Sequence, residues 1–322
     1  MTISFIISLF NCESYILNCL HSIISLGINQ VFFEIIVVDD GSTDNGPDIS
    51  RSLASSNSHI RVISQENQGL SGARNTGIEL ANGKYIWFLD ADDELTTQAI
   101  DVIEYLSDHE ELDFLAVQLQ KVDESRNLLS IDCSQPTLPK NEVMTGRDAI
   151  LNDYNPSSAC ALIMRRDFLN ENNLRFKLGI THEDVEFTFR AMSKAKKVMF
   201  TDFKPYLYFR RGNTMSTPLD HERLLKYIID DVEVADSFCS LALEFKGVDS
   251  TLYNKIFLRA KSVVFGLALQ IYHNRKQWQE NGITREVMQR LKDKDFFPLH
   301  RPYYSWKQQL MSFWLNFKLK KM

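Results

Sequence analysis

The chain has 322 residues, 44% of them hydrophobic and 24% charged, enough to bury a substantial core in one large domain or in a core with an appendage. A formal net charge of −6 leaves no basic stripe of the kind that neutralises a phosphodiester backbone, so nucleic acid is not an expected partner. Cys12, Cys19, Cys133, Cys160 and Cys239 are scattered without CxxC spacing, and the best apolar run, Ser262 to Tyr272, is short of the roughly 18 residues of a membrane span, so a cytoplasmic protein is expected.

Ile3 to Leu9 reads as a buried strand, because the N-terminus lacks the positive region of a signal peptide and its apolar run breaks at Asn11, Cys12 and Glu13. Glu13 to Leu26 follows as a helix with Ile16, Leu20, Ile23 and Ile24 on one face. Glu34 to Val38 is a second continuous apolar strand, ending in Asp39 and Asp40. Arg61 to Ser64, Ser71 to Ala81 and Lys84 to Leu89 repeat the order strand, helix, strand, and the last ends at Asp90. This alternation predicts parallel strands joined by crossover helices. Strands at Phe114 to Lys121 and Lys197 to Phe200 complete the sheet in the middle of the chain. Beyond Ser216 the apolar spacing turns helical, with Leu224, Ile228, Val232 and Ala235, then Ile256, Ala260, Val263 and Val264. The expected organisation is an α/β domain over residues 1–215 and a helical C-terminal region over 216–322.

In open parallel sheets, ligands bind outside the carboxyl ends of the strands. Asn11, Asp39 with Asp40, and Asp90, Asp92 and Asp93 should converge there, and such a cluster of carboxylates is costly without a cation. Hard oxygen ligands suit Mg²⁺ or Mn²⁺, which usually combine few carboxylates with substrate phosphates. A solvated acidic turn capping the next helix is the alternative. At the second strand end, Asp40 can accept a hydrogen bond from a nucleobase, while Gly41 supplies a positive φ and Asp44 caps a helix. The loop Gln65 to Gly77 is glycine-punctuated and enters a helix, so it can present N–H groups to a phosphate. It carries neither GxGxxG nor GxxxxGK[ST], and Arg74 can instead bridge the two acidic clusters, Asp39 with Asp40 and Asp90 to Asp93.

The segments Ile3-Ser4-Phe5-Ile6-Ile7 through Phe10-Asn11, then VVDDGSTD, then ENQGLSGARNTGIELANGKYIWFLDADDEL, resemble the family 2 glycosyltransferases. The resemblance is dense over about the first 95 residues and resumes at Thr181-His182-Glu183-Asp184 and at Tyr206-Leu207-Tyr208-Phe209-Arg210-Arg211. It implies a GT-A fold, α/β and Rossmann-like, with a mostly parallel sheet flanked by helices. It also implies a nucleotide-diphosphate sugar as donor, a UDP-sugar being favoured, and a glycan or lipid-linked glycan as acceptor in bacterial surface-polysaccharide synthesis. By the same resemblance Asp40 contacts the base, with Phe10, Asn11 and Glu13 beside it. Asp90, Ala91 and Asp92 form the DxD motif, and Asp93 shares ligation of Mn²⁺ or Mg²⁺. From their place near the mouth of the sheet, Arg210 and Arg211 either clamp the diphosphate, which needs only one of them, or decorate a strand edge, and Arg74 is a further donor-side candidate. The chain departs from the family at Ser8, where proline is common, and at Phe10, where tyrosine is common, so stacking survives and a phenol hydrogen bond does not.

Asp184 matches the family's general base. Transfer with inversion requires a base to deprotonate the acceptor hydroxyl opposite the leaving group, a role worth about 10²–10⁴-fold. The alternatives are that Glu183 and Asp184 simply begin a helix running through Met192, or that His182 is the base. A catalytically silent nucleotide-sugar-binding module would lack a base. A sugar nucleotidyltransferase would carry glycines and cations in the first loop, where this chain has Leu9-Phe10-Asn11-Cys12-Glu13. Residues 296–322 hold eight aromatics and five Lys or Arg with no acidic residue, which suits either peripheral contact with an anionic membrane or a packed helix with solvated lysines.

Overall fold

The computed structural model describes residues 2–109, 111–156, 158–211, 221–280, 282–300, 302–303 and 305–320. The chain forms two compact units, one of residues 1–179 and 183–214, the other of residues 180–182 and 215–322. The expected domain boundary at 215/216 falls outside the described residues. The excursion of residues 180–182 into the second unit has no signature in the sequence.

In the first unit the elements in chain order are β1 (Ile3–Leu9), α1 (Ile16–Ile24), β2 (Phe33–Asp39), α2 (Gly46–Ser56), β3 (Ile60–Ser64), α3 (Gly69–Leu80), β4 (Tyr85–Asp90), β5 (Glu94–Leu95), α4 (Gln98–Asp108), β6 (Phe114–Ala116), β7 (Leu119–Val122) and β8 (Leu128–Asp132). There follow β9 (Val143–Met144), α5 (Gly146–Leu151), β10 (Leu162–Arg165), α6 (Arg166–Glu171), α7 (Glu183–Lys194), β11 (Val198–Phe200) and β12 (Tyr206–Phe209). An eight-stranded sheet runs β3-β2-β1-β4-β10-β6-β11-β9, and a smaller one runs β5-β12-β7-β8.

The quartet β3, β2, β1, β4 is wholly parallel. Both faces of its centre are covered, so β2 is buried along its whole length and β1 almost so, which explains why these strands read as continuous apolar runs rather than alternating ones. Helix α1 buries Ile16, Cys19, Leu20 and Ile23, one face at helical spacing. Helix α3 lies so close to β1 that a Cβ on Gly77 would stand 2.2 Å from Ile6 Cγ2. Beyond β4 the sheet departs from simple winding: β10 is antiparallel to both β4 and β6, β11 returns parallel to β6, and β9 is antiparallel to β11. The single strand expected at Phe114 to Lys121 is two, β6 and β7, which lie in different sheets.

The second unit contains α8 (His221–Glu244), α9 (Ser250–His273), α10 (Arg275–Glu280), α11 (Ile283–Asp293) and α12 (Trp306–Leu319). Its core joins Val232 and Ala235 of α8 to Val264 and Ala268 of α9, Val287 and Leu291 of α11 and Leu315 and Leu319 of α12. Among the described residues no helix is long and apolar enough to cross a membrane. Cys12, Cys19, Cys160 and Cys239 are free thiols.

Candidate active site

Strands β1, β2 and β4 are neighbours with Leu9 opposite Asp39 and Ser8 opposite Asp90, so the loops after them leave the same edge of the sheet. The first two loops are stitched together. Asn11, at φ 51°, accepts from Thr43 N at 2.8 Å through Oδ1 and donates its own N–H to Ser42 Oγ at 3.2 Å. Glu13 Oε2 accepts from Asn45 N at 2.9 Å and from Asn45 Nδ2 at 3.0 Å, and Glu13 N donates to Asp44 Oδ2 at 2.8 Å. Asn11 and Glu13 thus spend side-chain oxygens on holding the loops, while Phe10 is 46% exposed and offers its ring at the rim. Gly41 has φ 78°, the positive value its turn was expected to need. Asp44 Oδ1 accepts from Gly46 N at the start of α2.

Asp40 is buried, and its Oδ1 accepts from Gln65 Nε2 at 2.7 Å and from Gln68 N at 2.9 Å. Gln65 is oriented in turn by Thr76 Oγ1, 2.7 Å from its Oε1. The glycine-punctuated loop therefore locks the carboxylate expected to read the base, and Gly69 adopts φ 76° where that loop enters α3.

Arg74 projects from α3 and is almost wholly buried. Its Nη2 lies 3.0 Å from Asp90 Oδ1 and its Nη1 2.9 Å from Glu183 Oε1. Burial alone would disfavour the guanidinium charge, but Asp90, Glu183 and Asp184 outweigh it and raise the pKa above the ordinary arginine range. Arg74 does join acidic groups, but it ties Asp90 to Glu183 and not to the Asp39–Asp40 cluster that the sequence suggested. At the other side of the loop Arg211 Nη1 meets Asp92 Oδ2 at 3.0 Å, and its guanidinium stacks over Tyr15 at 4.0 Å and Phe209 at 4.8 Å from the ring centroids. Arg210 is exposed and joins the fold through a backbone bond to Val122 O, so of the two arginines only Arg211 reaches the acidic loop.

Asp93 differs from its neighbours. It is buried, and its two oxygens accept from Phe209 N at 2.9 Å and Tyr206 Oη at 2.8 Å. Tyr206 Oη also accepts from Asp90 N at 3.1 Å. Burial, then the charges of Asp90 and Asp92, push the Asp93 carboxyl well above its usual range. With both oxygens engaged, Asp93 anchors β12 beneath the loop rather than facing a cation, which departs from the shared-ligand expectation. Asp92 is pushed up by burial and by Asp90 and drawn down by Arg211.

Asp90 and Asp92 keep partly exposed carboxylates on either side of the buried Ala91. Among the described residues no group of three or more His, Cys, Asp or Glu side chains is arranged to hold a metal ion. Two hard oxygen donors nonetheless fit Mg²⁺ or Mn²⁺ when a diphosphate completes the shell, and each currently spends one oxygen on an arginine. The raised Asp92 pKa marks a carboxylate that a nearby cation would relieve.

Helix α7 opens with Glu183 and Asp184. Glu183 is buried, and desolvation raises its pKa to about 7, against the pull of Arg74 and with a further push from Asp184. Asp184 is half-buried, with Oδ1 accepting from Val185 N at 2.8 Å. His182 lies in the other unit's company: its Nε2 is 3.2 Å from Tyr227 O and 3.5 Å from Asp231 Oδ1, and its ring meets Tyr227 edge-on at 4.2 Å. Those contacts occupy the rival base. Sequence reading missed Glu183 as Arg74's second partner and the role of Tyr206, although both tyrosines of the Tyr-x-Tyr segment were visible. It also passed over Tyr15, whose place under Arg211 has no local sequence signal.

Residues 4–171 match the family model "Glycosyl transferase family 2". The chain is 30% identical over 222 residues to YibD of Escherichia coli strain K12, described as an uncharacterized glycosyltransferase; the match takes in 66% of this chain and 63% of YibD. It is 30% identical over 243 residues to the glycosyltransferase GlyG of Streptococcus pneumoniae serotype 4, covering 72% of this chain and 77% of GlyG. Residues 1–349 of TarS from S. aureus, solved in complex with UDP-GlcNAc, superpose with a TM-score of 0.69 at 20% identity, over 99% of this chain and 89% of that one. At that identity the likeness establishes the GT-A fold.

Proposed function

The chain belongs to glycosyl transferase family 2, and from that premise we propose that it is an inverting, metal-dependent transferase moving a sugar from a UDP-sugar to a glycan or lipid-linked glycan acceptor in surface-polysaccharide synthesis. The observation that carries the reading is the ion-pair chain Asp90–Arg74–Glu183, which ties the carboxylates at the end of β4 to the N-terminus of α7, where Asp184 stands. The UDP-GlcNAc bound to TarS favours a uridine nucleotide.

In this reading Phe10 stacks at the rim and Asp40, held by Gln65 and Gln68, accepts from the base. Asp90 and Asp92 are the residues that would hold Mn²⁺ or Mg²⁺. That cation, when bound, neutralises charge developing on the leaving nucleoside diphosphate. Arg211 is positioned to exchange Asp92 for a phosphate oxygen, since a guanidinium serves either anion. Asp184 takes the proton of the acceptor hydroxyl from the side opposite the departing diphosphate, which gives inversion. Residues 296–322 support a peripheral, cytoplasmic placement at an anionic membrane face; Arg301, Tyr304 and Lys321 of that tail lie outside the described residues.

The test pairs UDP-sugar binding by calorimetry with transfer in Mn²⁺, with and without EDTA, for the intact protein and for Asp92→Ala. Binding and transfer should both fall at least about tenfold on chelation or substitution, with the fold kept by circular dichroism. Full activity of the chelated protein would remove the metal from the mechanism.

A further inference from the structure

Helix α12 has two apolar faces. Leu315 and Leu319 enter the core of the C-terminal unit. Trp306, Leu310, Phe313 and Phe317 follow at helical spacing on the opposite side, with Trp306 67% and Phe313 59% exposed. Beside that outer stripe a cavity of about 920 Å³ lies between α11 and α12, with Phe317 in its wall. Its cations are Arg285, Lys292 and Lys320, and no carboxylate lines it. Among the described residues these three form no ion pair, whereas their neighbours Arg290 and Lys294 are paired with Glu233 and Asp236. Met288, Phe297 and Phe317 supply apolar wall. The Thr284 hydroxyl, also in the wall, is buried and has no hydrogen-bond partner among the described residues. A buried hydroxyl in that state is destabilising unless a ligand or water satisfies it.

We propose that this cavity is a binding site for the phosphate headgroup of an anionic bilayer lipid, with the exposed stripe of α12 seated in the interface beside it. The inference rests on the membrane placement above and assigns to it a site and a ligand class. Charge complementarity selects the occupant: three unpaired cations around an apolar wall fit a phosphate that carries alkyl chains, and the adjoining Trp, Phe and Leu stripe is the composition of an interfacial helix. The attraction of each cation to an anionic surface is screened by salt, so the binding should weaken as ionic strength rises.

Sedimentation of the full chain with vesicles of phosphatidylcholine, alone or mixed with phosphatidylglycerol, tests it. The intact chain should bind the anionic vesicles at least about tenfold more tightly. The double variant Arg285→Glu, Lys292→Glu, altered only at exposed positions, should lose that preference, and Lys292→Gln should lose part of it. Trp306→Ala with Phe313→Ala should weaken binding to both vesicle types. Submicellar dihexanoyl phosphatidylglycerol should raise the Tm of the intact chain and not that of the charge-reversed one, while inorganic phosphate should do neither. An equal Tm rise with inorganic phosphate would make the cavity a plain anion site and overturn the lipid assignment. Retained anionic preference in the charge-reversed chain would overturn the site while leaving the membrane placement standing. No binding to either vesicle type would sink both.

Discussion

Asp184→Asn keeps the size and shape of the side chain at the start of α7 and removes its capacity to take a proton. Donor affinity should change little, and transfer should fall by about 10² or more, equivalent to about 2.7 kcal/mol in the barrier. His182→Ala should be much milder, since His182 is held by Tyr227 and Asp231. Calorimetry for the donor with initial rates for transfer decides between them; collapse in His182→Ala with a near-normal Asp184→Asn would move the role to the histidine. Glu183 makes a separate prediction through pH. Its pKa is raised from 4.5 to about 7 by burial, so between those values the folded state holds a proton that the unfolded chain has lost. Stability should therefore fall as pH rises through that window, by on the order of 1–3 kcal/mol, and stay level above it. Urea midpoints at pH 5 and pH 8 should show this drop in the intact protein and a smaller one in Glu183→Gln; equal drops would show that another group titrates. Asp40, Asp90 and Asp92 were legible in the sequence because strand ends and carboxylates are local signals. The burial of Glu183 and the engagement of both Asp93 oxygens were not, because each depends on a partner about a hundred residues away.

Gly77 shows how an element places the site. Glycine inside a helix costs about 1 kcal/mol relative to alanine, yet here a Cβ would meet Ile6 Cγ2 at 2.2 Å and Cδ1 at 3.1 Å, with Ile6 buried in the central sheet. Gly77→Ala should therefore destabilise by about 1–3 kcal/mol through overpacking instead of gaining the usual helix benefit. It should also weaken donor binding, because α3 carries Arg74 to Asp90. A Tm equal to or above that of the intact protein would show that α3 does not need the close approach. The parallel strands and α3 were readable from the run lengths and the glycine-bearing loop before the helix. Strand β10 was not: its reversal depends on pairing between Leu162–Met164 and Phe114–Ala116, and neither four residues nor three carry a directional signal. Helix α12 bears out the packed-helix reading of the tail through Leu315 and Leu319, and its other face exposes Trp306, Leu310, Phe313 and Phe317, because residues 306–319 carry apolar side chains on two sides at once.

Over the whole molecule, the chain leaves the first unit at Gly179, lends residues 180–182 to the C-terminal unit and re-enters at Glu183. Within the C-terminal unit that segment is fastened: Thr181 N donates to Asp230 Oδ2 at 2.7 Å, and Lys226 Nζ donates to the same oxygen at 2.9 Å. Asp230 is buried, and Thr181 lies three residues before Asp184. The fastened segment runs by covalent continuity into Glu183 and Asp184, the start of α7. Asp230→Ala should lower transfer by about three- to thirty-fold while leaving donor affinity unchanged, because a shift of about 1 Å in a reacting group costs up to about 10²-fold. Asp230→Asn, which keeps an acceptor oxygen for Thr181, should recover most of the loss. The readout is kcat beside the calorimetric donor Kd, with circular dichroism to confirm that α8 persists. If Asp230→Ala lowered donor affinity and kcat together, the fastening would serve general stability; if it lowered neither, residues 180–182 would be held well enough by His182 alone.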